Sequence, residues 1–332
     1  MIEDARVLRD EYVPREVEYR DPEVNHLASV LAPITDGRSA DTALITGPTG
    51  TGKTCIAQFT VGRLRRTHLD VDYQYINCWQ NYSRFRVLYS ILEDLGRTID
   101  VHRQSTPRDE LLDRLEQHDG PPCVVILDEA DQLEDKRVFY DLHTLPQFSM
   151  LLIANDEKTV FAGVDERLAS RIRGCEHIHF DRYGIDELTA ILDARAWWGL
   201  EAGVIERSEL RTIADAAAGD ARVAISILRS AARKAQRENA ERITAGLVQS
   251  AIPTAREEVR RKTLDTLTPD QRALYEIVDD HGEIEPSTLY DAYRDRVDDP
   301  KTNRTVRNYL TKMTQYDLIV AEGTSRDRTY RT

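Results

Sequence analysis

The sequence is poor in lysine and contains no long uncharged apolar segment. Only seven of its 45 basic residues are lysines, whereas 58 residues are acidic, so the 332-residue chain carries a formal net charge of −13. An acidic surface with few lysines is typical of proteins that stay soluble in concentrated salt, although a GC-rich coding sequence would also favour arginine. No apolar run approaches the roughly 18 residues that cross a bilayer, and the charged start MIEDARVLRDEY does not resemble a secretory signal. We therefore expect a soluble cytoplasmic protein without a membrane partner.

Cysteines are also few and lie far apart. The four of them form no CxxC pair, which argues against a zinc site and against a disulfide framework. His177 and His179 alternate on a predicted strand, but no third metal ligand accompanies them. We expect ordinary thiols and an ordinary strand at these positions.

The length predicts two or three domains. From about residue 25, short apolar strands at 42–47, 71–78, 123–131, 149–156 and 175–180 alternate with helices such as 54–66 and 83–96, which predicts a parallel sheet covered on both faces. Residues 181–252 have a helical pattern, in which we expect Trp197 and Trp198 to be packed, and a charged linker follows at 256–266. We predict an arm at 1–24, an α/β base at 25–180, a helical lid with its linker at 181–262 and a last module at 263–332.

The strongest motif is GPTGTGKT, which lies between a predicted strand and a predicted helix. It fits the P-loop pattern G-x-x-x-x-G-K-[ST], in which glycines let backbone N–H groups surround phosphate and the following helix adds positive potential. Lys53 should reach the β- and γ-phosphates, and Thr54 should bind Mg²⁺ through its hydroxyl group. The motif predicts an ATP or ADP site formed by Gly47, Pro48, Thr49, Gly50, Thr51, Gly52, Lys53 and Thr54.

A second group of candidate residues follows later strands. The apolar run VVIL delivers Asp128 to the carboxyl edge of the sheet, where it can hold Mg²⁺, and Glu129 can polarise an attacking water molecule. Asn155, at the tip of the next strand, could orient that water. Arg222, in the stretch GDAR, could reach the γ-phosphate from the lid. Taken alone, Asn155 would more often be a turn residue and Arg222 a member of a surface ion pair.

Residues 265–332 are predicted to form a winged helix. Thr268 caps a first helix with Pro269 in its first turn, a second helix runs from 286 to about 297, and a third runs from about 303 to 316. Two short strands should flank a basic loop in LIVAEGTSRDRTYR. On the third helix, Val306, Tyr309, Leu310 and Met313 share one side, and the opposite side carries Arg304, Arg307, Asn308, Thr311 and Gln315.

The charge within this module is uneven. Residues 265–300 contain 11 acidic and 3 basic residues, whereas residues 301–332 contain 3 acidic and 7 basic residues. The positive charge is confined to the third helix and to a wing that carries Arg326, Arg328 and Arg331. A solvated helix face is the simpler alternative, but a basic patch in an acidic chain favours contact with double-stranded DNA.

The combination of motifs resembles AAA+ ATPases, and among them the archaeal origin-recognition-complex and cell-division-cycle-type replication initiators of haloarchaea. The resemblance rests on the P-loop, the DEAD and AND strand ends and the GDAR lid. It extends over DEYVPREVEYRDPEVNHLASVLAPI, YINCWQNYSRFRVLYSILEDLG and FDRYGIDELTAILDAR, and so covers nearly the whole chain. It implies an AAA+ P-loop parallel sheet with a helical lid and a C-terminal winged-helix domain.

The same resemblance implies further site residues. Adenine should lie by Tyr12, Val13, Pro14 and Arg20 of the arm, with Tyr183 at the start of the lid. The stretch DERLASRIRG is similar to the arginine-finger region of the family, and both Arg167 and Arg171 remain candidates. An insertion helix implies a second DNA contact, although its arginines could equally form surface pairs; its polar positions are Asn81, Tyr82, Ser83, Arg84 and Arg86.

These features predict an ATP-dependent initiator that binds duplex origin DNA, with ATP hydrolysis as a slow switch. From the family alone we expect that it helps to recruit the replicative helicase, acts as a monomer or a DNA-assembled oligomer, and associates with the nucleoid. Two alternatives remain. One is an ATP-dependent winged-helix transcription regulator, and the other is a clamp-loader-like AAA+ ATPase.

Overall fold

The computed structural model describes residues 1–68, 70–98, 107–162, 164, 166–323 and 328–332, without the side chains of residues 167, 168 and 171. The chain forms two compact units. One comprises Glu11–Ile191, and the other comprises Met1–Asp10 together with Leu192–Thr332. Within the described ranges, no helix is both long and apolar enough to cross a membrane.

The first unit is built on a sheet of five parallel strands in the order β2-β3-β4-β1-β5. Because all the strands run in the same direction, their carboxyl ends meet at one edge, and the polar residues that follow them gather there. The strands are β1 (Ala43–Thr46), β2 (Asp72–Asn77), β3 (Cys123–Asp128), β4 (Phe148–Ala154) and β5 (Glu176–His179).

Alternation along the central strands fills two cores. Leu44, Val125 and Leu152 belong to the core on one face of the sheet, whereas Ile45 and Ile126 belong to the core on the other face. Strands that are buried on both sides consist of continuous apolar residues, since neither face meets water. The prediction of a two-sided parallel sheet is therefore confirmed.

Seven helices of the first unit connect or cover the strands in the described part of the chain. The predicted helices at 54–66 and 83–96 are observed, and Ser83 caps the second by accepting a hydrogen bond from the Arg86 N–H group. The helices at 108–116, 137–144 and 157–161 were not predicted individually. The helices are α1 (Asp21–Leu31), α2 (Lys53–Thr67), α3 (Arg84–Asp94), α4 (Arg108–Glu116), α5 (Arg137–Thr144), α6 (Glu157–Phe161) and α7 (Glu166–Arg173).

Four longer helices follow: α8 (Ile185–Gly199), which contains the boundary between the units, α9 (Arg207–Ala217), α10 (Ala221–Arg237) and α11 (Ala245–Thr266). The predicted linker at 256–266 is helical, because α11 continues through Pro253 without a break. Proline removes one N–H group from a helix. Pro253 leaves the Gln249 carbonyl oxygen, one turn earlier, without its usual N–H donor, but α11 packs against α10 and remains helical.

Trp197 and Trp198 lie in the last turn of α8, and the prediction that they pack is wrong. Their exposed fractions are 76% and 69%. The inward side of this helix is occupied by Leu192, Ala196 and the buried Arg195 instead. The two indoles therefore face solvent.

The C-terminal module contains α12 (Pro269–His281), α13 (Pro286–Arg296), α14 (Asn303–Gln315) and an antiparallel sheet of three strands in the order β6-β8-β7. A capping box between Thr268 and Gln271 begins α12. The sheet pairs β6 (Glu283–Ile284), which was not predicted, with β8 (Thr329–Arg331), and β8 with β7 (Val320–Glu322). These are the elements of a winged helix.

Candidate nucleotide and DNA sites

The P-loop joins β1 to α2 in a conformation that only glycine accommodates. Gly47, Gly50 and Gly52 have φ angles of 144°, 75° and 88°. A Cβ atom on Gly47 would lie 2.2 Å from the Phe180 carbonyl oxygen, and one on Gly52 would lie 2.5 Å from the Tyr183 hydroxyl oxygen. No side chain caps the start of α2. The first N–H groups of the helix are therefore suited to an anion.

Lys53 is buried inside this loop. Its ammonium group donates to the carbonyl oxygens of Gly47 and Pro48, both at 2.7 Å, and to Asn155 Oδ1 at 3.2 Å. The Nδ2 group of Asn155 is buried and has no hydrogen-bond partner in the described part of the chain. A buried amide donor without an acceptor is costly, and a phosphate oxygen or a water molecule would satisfy it. Lys53 and Asn155 therefore fit the phosphate groups of a nucleoside triphosphate.

Asp128, at the end of β3, collects three donors. Its Oδ2 atom accepts hydrogen bonds from the Thr54 and Tyr75 hydroxyl groups, both at 2.8 Å, and its Oδ1 atom accepts from the Glu129 N–H group at 3.0 Å. Burial, reinforced by the Glu129 carboxylate, raises the pKa of Asp128 to about 6. A carboxylate and a hydroxyl oxygen held together are ligands that suit Mg²⁺.

Tyr75 was missed by the sequence analysis. It lies on β2, and only the register between β2 and β3 brings its hydroxyl group to Asp128.

Glu129, the next residue after Asp128, has a φ angle of 57°, in the left-handed region that non-glycine residues rarely adopt. Its carboxylate is partly exposed at the sheet edge. A water molecule can therefore reach the Glu129 carboxylate.

Arg20 links the residues before α1 to the P-loop. It is buried, donates to the carbonyl oxygens of Asp181 at 2.7 Å and Thr51 at 3.3 Å, and forms an ion pair with Glu23. Its guanidinium carbon lies 4.2 Å from the centre of the Tyr183 ring. The structure therefore brings Arg20 and Tyr183 together beside the loop.

The other predicted adenine contacts are less defined. Tyr12, Val13 and Pro14 are half-buried, and Val13 packs against the core beneath α1. Their role in binding adenine stays a prediction.

The candidate arginine fingers Arg167 and Arg171 lie on α7, but their side chains are outside the described part of the structure.

Arg222 lies in the first turn of α10. Asp220 caps this helix, and its carboxylate forms an ion pair with Arg222 at 3.0 Å. The guanidinium carbon of Arg222 lies 5.6 Å from the centre of the Tyr316 ring, a contact that the sequence analysis missed. Its predicted contact with the γ-phosphate stays a prediction.

The faces of α14 agree with the predicted pattern. Val306, Leu310 and Met313 are buried. The side chains of the opposite face are exposed or, for Gln315, half-buried; they are Arg304, Arg307, Asn308, Thr311 and Gln315. Lys312 departs from the pattern, because it is 2% exposed and its ammonium group lies 4.9 Å from the centre of the Tyr316 ring.

The remaining predicted DNA contacts differ from one another. In the wing, Arg331 forms an ion pair with Glu322, Arg328 is partly buried, and Arg326 lies outside the described residues.

Near α3, Arg84 forms a bidentate ion pair with the buried Asp141 carboxylate, which turns this arginine inward. Arg86 is exposed, and it donates to the Gln80 carbonyl oxygen. Of the two α3 arginines, only Arg86 offers an accessible cation.

Comparison with known proteins first defines the class. An AAA domain model matches residues 36–170, and a model of the Cdc6 AAA+ ATPase-type lid domain matches residues 189–253. Together with the parallel sheet and the P-loop, these matches make the chain an AAA+ ATPase with a Cdc6-type lid. The predicted fold class is confirmed.

Similar proteins then define the family. The chain is 59% identical to ORC1-type DNA replication protein 9 of Halobacterium salinarum, over 99% of this chain and 93% of that protein. It is 54% identical to ORC1-type DNA replication protein 1 of the same organism, over 93% of this chain and all of the relative. The Aeropyrum pernix ORC1 protein, solved in complex with DNA, superposes with a TM-score of 0.76 at 26% identity, covering 99% of this chain and 92% of that one. The chain belongs to the ORC1-type DNA replication protein family.

Proposed function

We propose that this chain is an ATP-dependent replication initiator that binds duplex origin DNA through its winged helix. The observation that carries the proposal is the pair of contacts beside the P-loop, in which Lys53 donates to Asn155 and Thr54 donates to Asp128. Family membership supports the role in replication.

Each residue of the site has a distinct task. Lys53 would exchange its two carbonyl acceptors for phosphate oxygens, and Thr54 and Asp128 would hold Mg²⁺, which would neutralise phosphate charge. Glu129 accepts the proton of the attacking water, and the free amide group of Asn155 orients that water. Tyr12, Val13, Pro14, Arg20 and Tyr183 would bind the base and the loop, and Arg222 would supply positive charge to the γ-phosphate. Either Arg167 or Arg171 would act as the arginine finger on the nucleotide of a neighbouring copy.

The nucleotide site is tested by separating binding from hydrolysis. Lys53→Ala should abolish binding of a fluorescent ATP analogue, because it removes the cation inside the loop. Glu129→Gln should bind the analogue normally but lose phosphate release by roughly a hundredfold, since the proton acceptor is gone. Normal turnover by Glu129→Gln, or normal binding by Lys53→Ala, would contradict the assignment.

The DNA site is proposed on α14 and the wing. Arg304, Arg307 and Asn308 present cationic and amide donors on the exposed face, and such groups contact base edges and phosphates. The similar Aeropyrum pernix ORC1 protein was solved in complex with DNA, which supports DNA binding by this chain. Arg328, Arg326 and Arg86 would add phosphate contacts, whereas Arg84 and Arg331 are held in ion pairs and contribute less.

Footprinting on replication origin DNA tests this surface. Arg307→Ala should lose sequence preference and weaken binding by about tenfold, which corresponds to the loss of one specific contact. The matched control is Arg237→Ala, which removes an exposed arginine from α10 and should bind like wild type. Equal protection by Arg307→Ala and wild type at the same salt concentration would refute the assignment.

Recruitment of the replicative helicase, association with the nucleoid and assembly of monomers on DNA are further parts of the proposal. Chromatin immunoprecipitation should place the protein at replication start zones. Occupancy confined to promoters would instead favour the ATP-dependent transcription regulator.

A further inference from the structure

Trp197 and Trp198 form an exposed aromatic pair on the lid, defined here as the residues that match the Cdc6-type lid model. Trp79, the third tryptophan of the chain, is 4% exposed, whereas the pair is 76% and 69% exposed. Tryptophan is large and apolar, and it is enriched at protein interfaces, where it supplies much of the binding energy. Two adjacent exposed indoles are therefore a candidate docking surface.

The pair stands on a rigid support. The Gly199 carbonyl oxygen accepts the N–H groups of Glu3 at 2.9 Å and Asp4 at 3.3 Å, and Arg195 donates to the Val7 carbonyl oxygen at 2.8 Å. A Cβ atom on Gly199 would lie 3.0 Å from Leu8, so the N-terminal segment is packed closely against the end of α8. This packing occupies the inner side of the helix and prevents the indoles from turning inward.

Exposed carboxylates lie near the pair. Asp193 is exposed one helical turn before Trp197, and the exposed Glu3 lies on the segment that is bonded to Gly199. Among the basic groups of these two segments, the amino group of Met1 pairs with Glu201, Arg6 pairs with Asp4, Arg195 is buried and Arg9 is exposed. The Asp193 carboxylate shares a helix face with Trp197 and favours a cationic partner there.

An indole face next to a carboxylate is suited to one kind of side chain. Arginine and lysine bind above tryptophan rings, which are the strongest aromatic partners for cations, and their charged ends can also pair with a carboxylate. An apolar partner would leave the two carboxylates without a role. We propose that Trp197, Trp198, Asp193 and Glu3 form a docking surface for an arginine- or lysine-bearing segment of a partner protein.

The first test uses a defined probe, a blocked ten-residue peptide of alternating alanine and arginine. Its neutral control contains citrulline, which has the shape of arginine without the charge. Binding to the full chain is measured in molar KCl by tryptophan fluorescence and isothermal titration calorimetry, because high salt suppresses diffuse attraction to an acidic protein. The arginine peptide should bind at least about fivefold more tightly than the citrulline peptide. Equal or absent binding of the two peptides would overturn the proposal.

Variants locate the site. Trp197→Ala with Trp198→Ala should lower affinity for the arginine peptide about fivefold or more, and Asp193→Asn should lower it by about threefold. Asp279→Asn, which neutralises an exposed carboxylate on α12, is the matched control and should have no effect. Since both indoles are exposed, the double variant should keep the wild-type melting temperature, and Trp197→Phe with Trp198→Phe should retain part of the binding. Affinity unchanged in the double alanine variant would overturn the proposal.

A second copy of the chain is the competing occupant. Sedimentation of the wild type and of the double alanine variant distinguishes the two. Self-association that disappears in the variant would make the pair a homotypic interface and overturn the proposal, whereas identical sedimentation together with arginine-dependent binding supports it.

Discussion

At the scale of single residues, the nucleotide site depends on contacts that join separate strands. Asp128 lies on β3, and its donors come from α2 and β2 as well as from its own neighbour in the chain. The sheet register thus determines which hydroxyl groups surround the carboxylate. Two predictions follow from this arrangement, one for a donor and one for the carboxylate itself.

Tyr75→Phe removes one donor to Asp128 without changing the shape of the side chain. We expect the variant to lose about 1 kcal/mol of stability and to hydrolyse ATP several-fold more slowly, because the carboxylate is less firmly oriented. The matched control is Tyr73→Phe, two residues earlier on β2; in the described part of the chain the Tyr73 hydroxyl group does not donate to Asp128, so this variant should turn over ATP at the wild-type rate. Equal rates for the two variants would argue against a role for Tyr75.

Asp128→Asn tests the effect of burying a carboxylate. Because the pKa of Asp128 rises from 3.8 to about 6 on folding, the folded chain binds this proton more tightly than the unfolded chain. The nucleotide-free protein therefore loses stability as pH rises from about 4 to about 6. At pH 7 the variant should be more stable than wild type by on the order of 2 kcal/mol, and this gain should shrink towards pH 4. Urea unfolding at pH 4.5 and pH 7 measures it, and a gain independent of pH would refute the explanation.

At the scale of elements, two arginines of α10 and α11 hold the C-terminal end of α14. Arg222 contacts the Tyr316 ring, and Arg260 of α11 donates to the Leu318 carbonyl oxygen at 3.2 Å and to the Tyr275 hydroxyl oxygen at 3.1 Å. Lys312 also contacts the ring of Tyr316. The proposed recognition helix is thereby fixed to the lid within one unit.

Tyr316→Leu should loosen this attachment, since leucine offers no aromatic face to Arg222 and Lys312. We expect a loss of about 1–2 kcal/mol in the free energy of unfolding and an about fivefold weaker affinity for origin DNA. Tyr316→Phe keeps the ring and should behave like wild type in both denaturant unfolding and DNA titration. If the leucine and phenylalanine variants bind DNA equally, the ring contacts do not position α14.

The sequence predicted those elements whose signals are local. The P-loop, the apolar strand before Asp128 and the alternating faces of α14 each follow from a short run of residues. The continuation of α11 through Pro253 could not be predicted, because the helix packs against α10 through contacts between residues that are distant in the chain. Tyr75 and Tyr316 were missed for the same reason, since their partners are distant in the chain. Hydrophobicity alone led to the wrong prediction for Trp197 and Trp198, because it does not indicate which side of α8 is already filled.

At the scale of the whole molecule, an acidic protein must bind an acidic polymer. The net charge of −13 opposes association, so we expect binding to depend mainly on the basic residues after position 300, where we propose the DNA site. Each phosphate contact releases about one counterion, and the logarithm of the affinity therefore falls linearly with the logarithm of the salt concentration. Arg307→Ala should reduce the steepness of that line by about one, as measured by fluorescence anisotropy across a KCl series. An unchanged slope would mean that Arg307 does not contact a DNA phosphate.

The same net charge should give folding stability the opposite salt dependence. Mutual repulsion among 58 acidic residues destabilises the compact state, and KCl weakens it because the screening length falls from about 10 Å at 0.1 M to about 3 Å at 1 M. We expect the melting temperature to rise by at least about 5 °C over this range, with the steepest change at low salt. Sucrose at equal osmolality acts through exclusion from the surface and not through screening, so its effect should be smaller and closer to linear in concentration. A melting temperature that stays constant in KCl, or that rises equally in sucrose, would show that the acidic surface does not require salt, and the scarcity of lysine would then be better explained by the composition of the coding sequence.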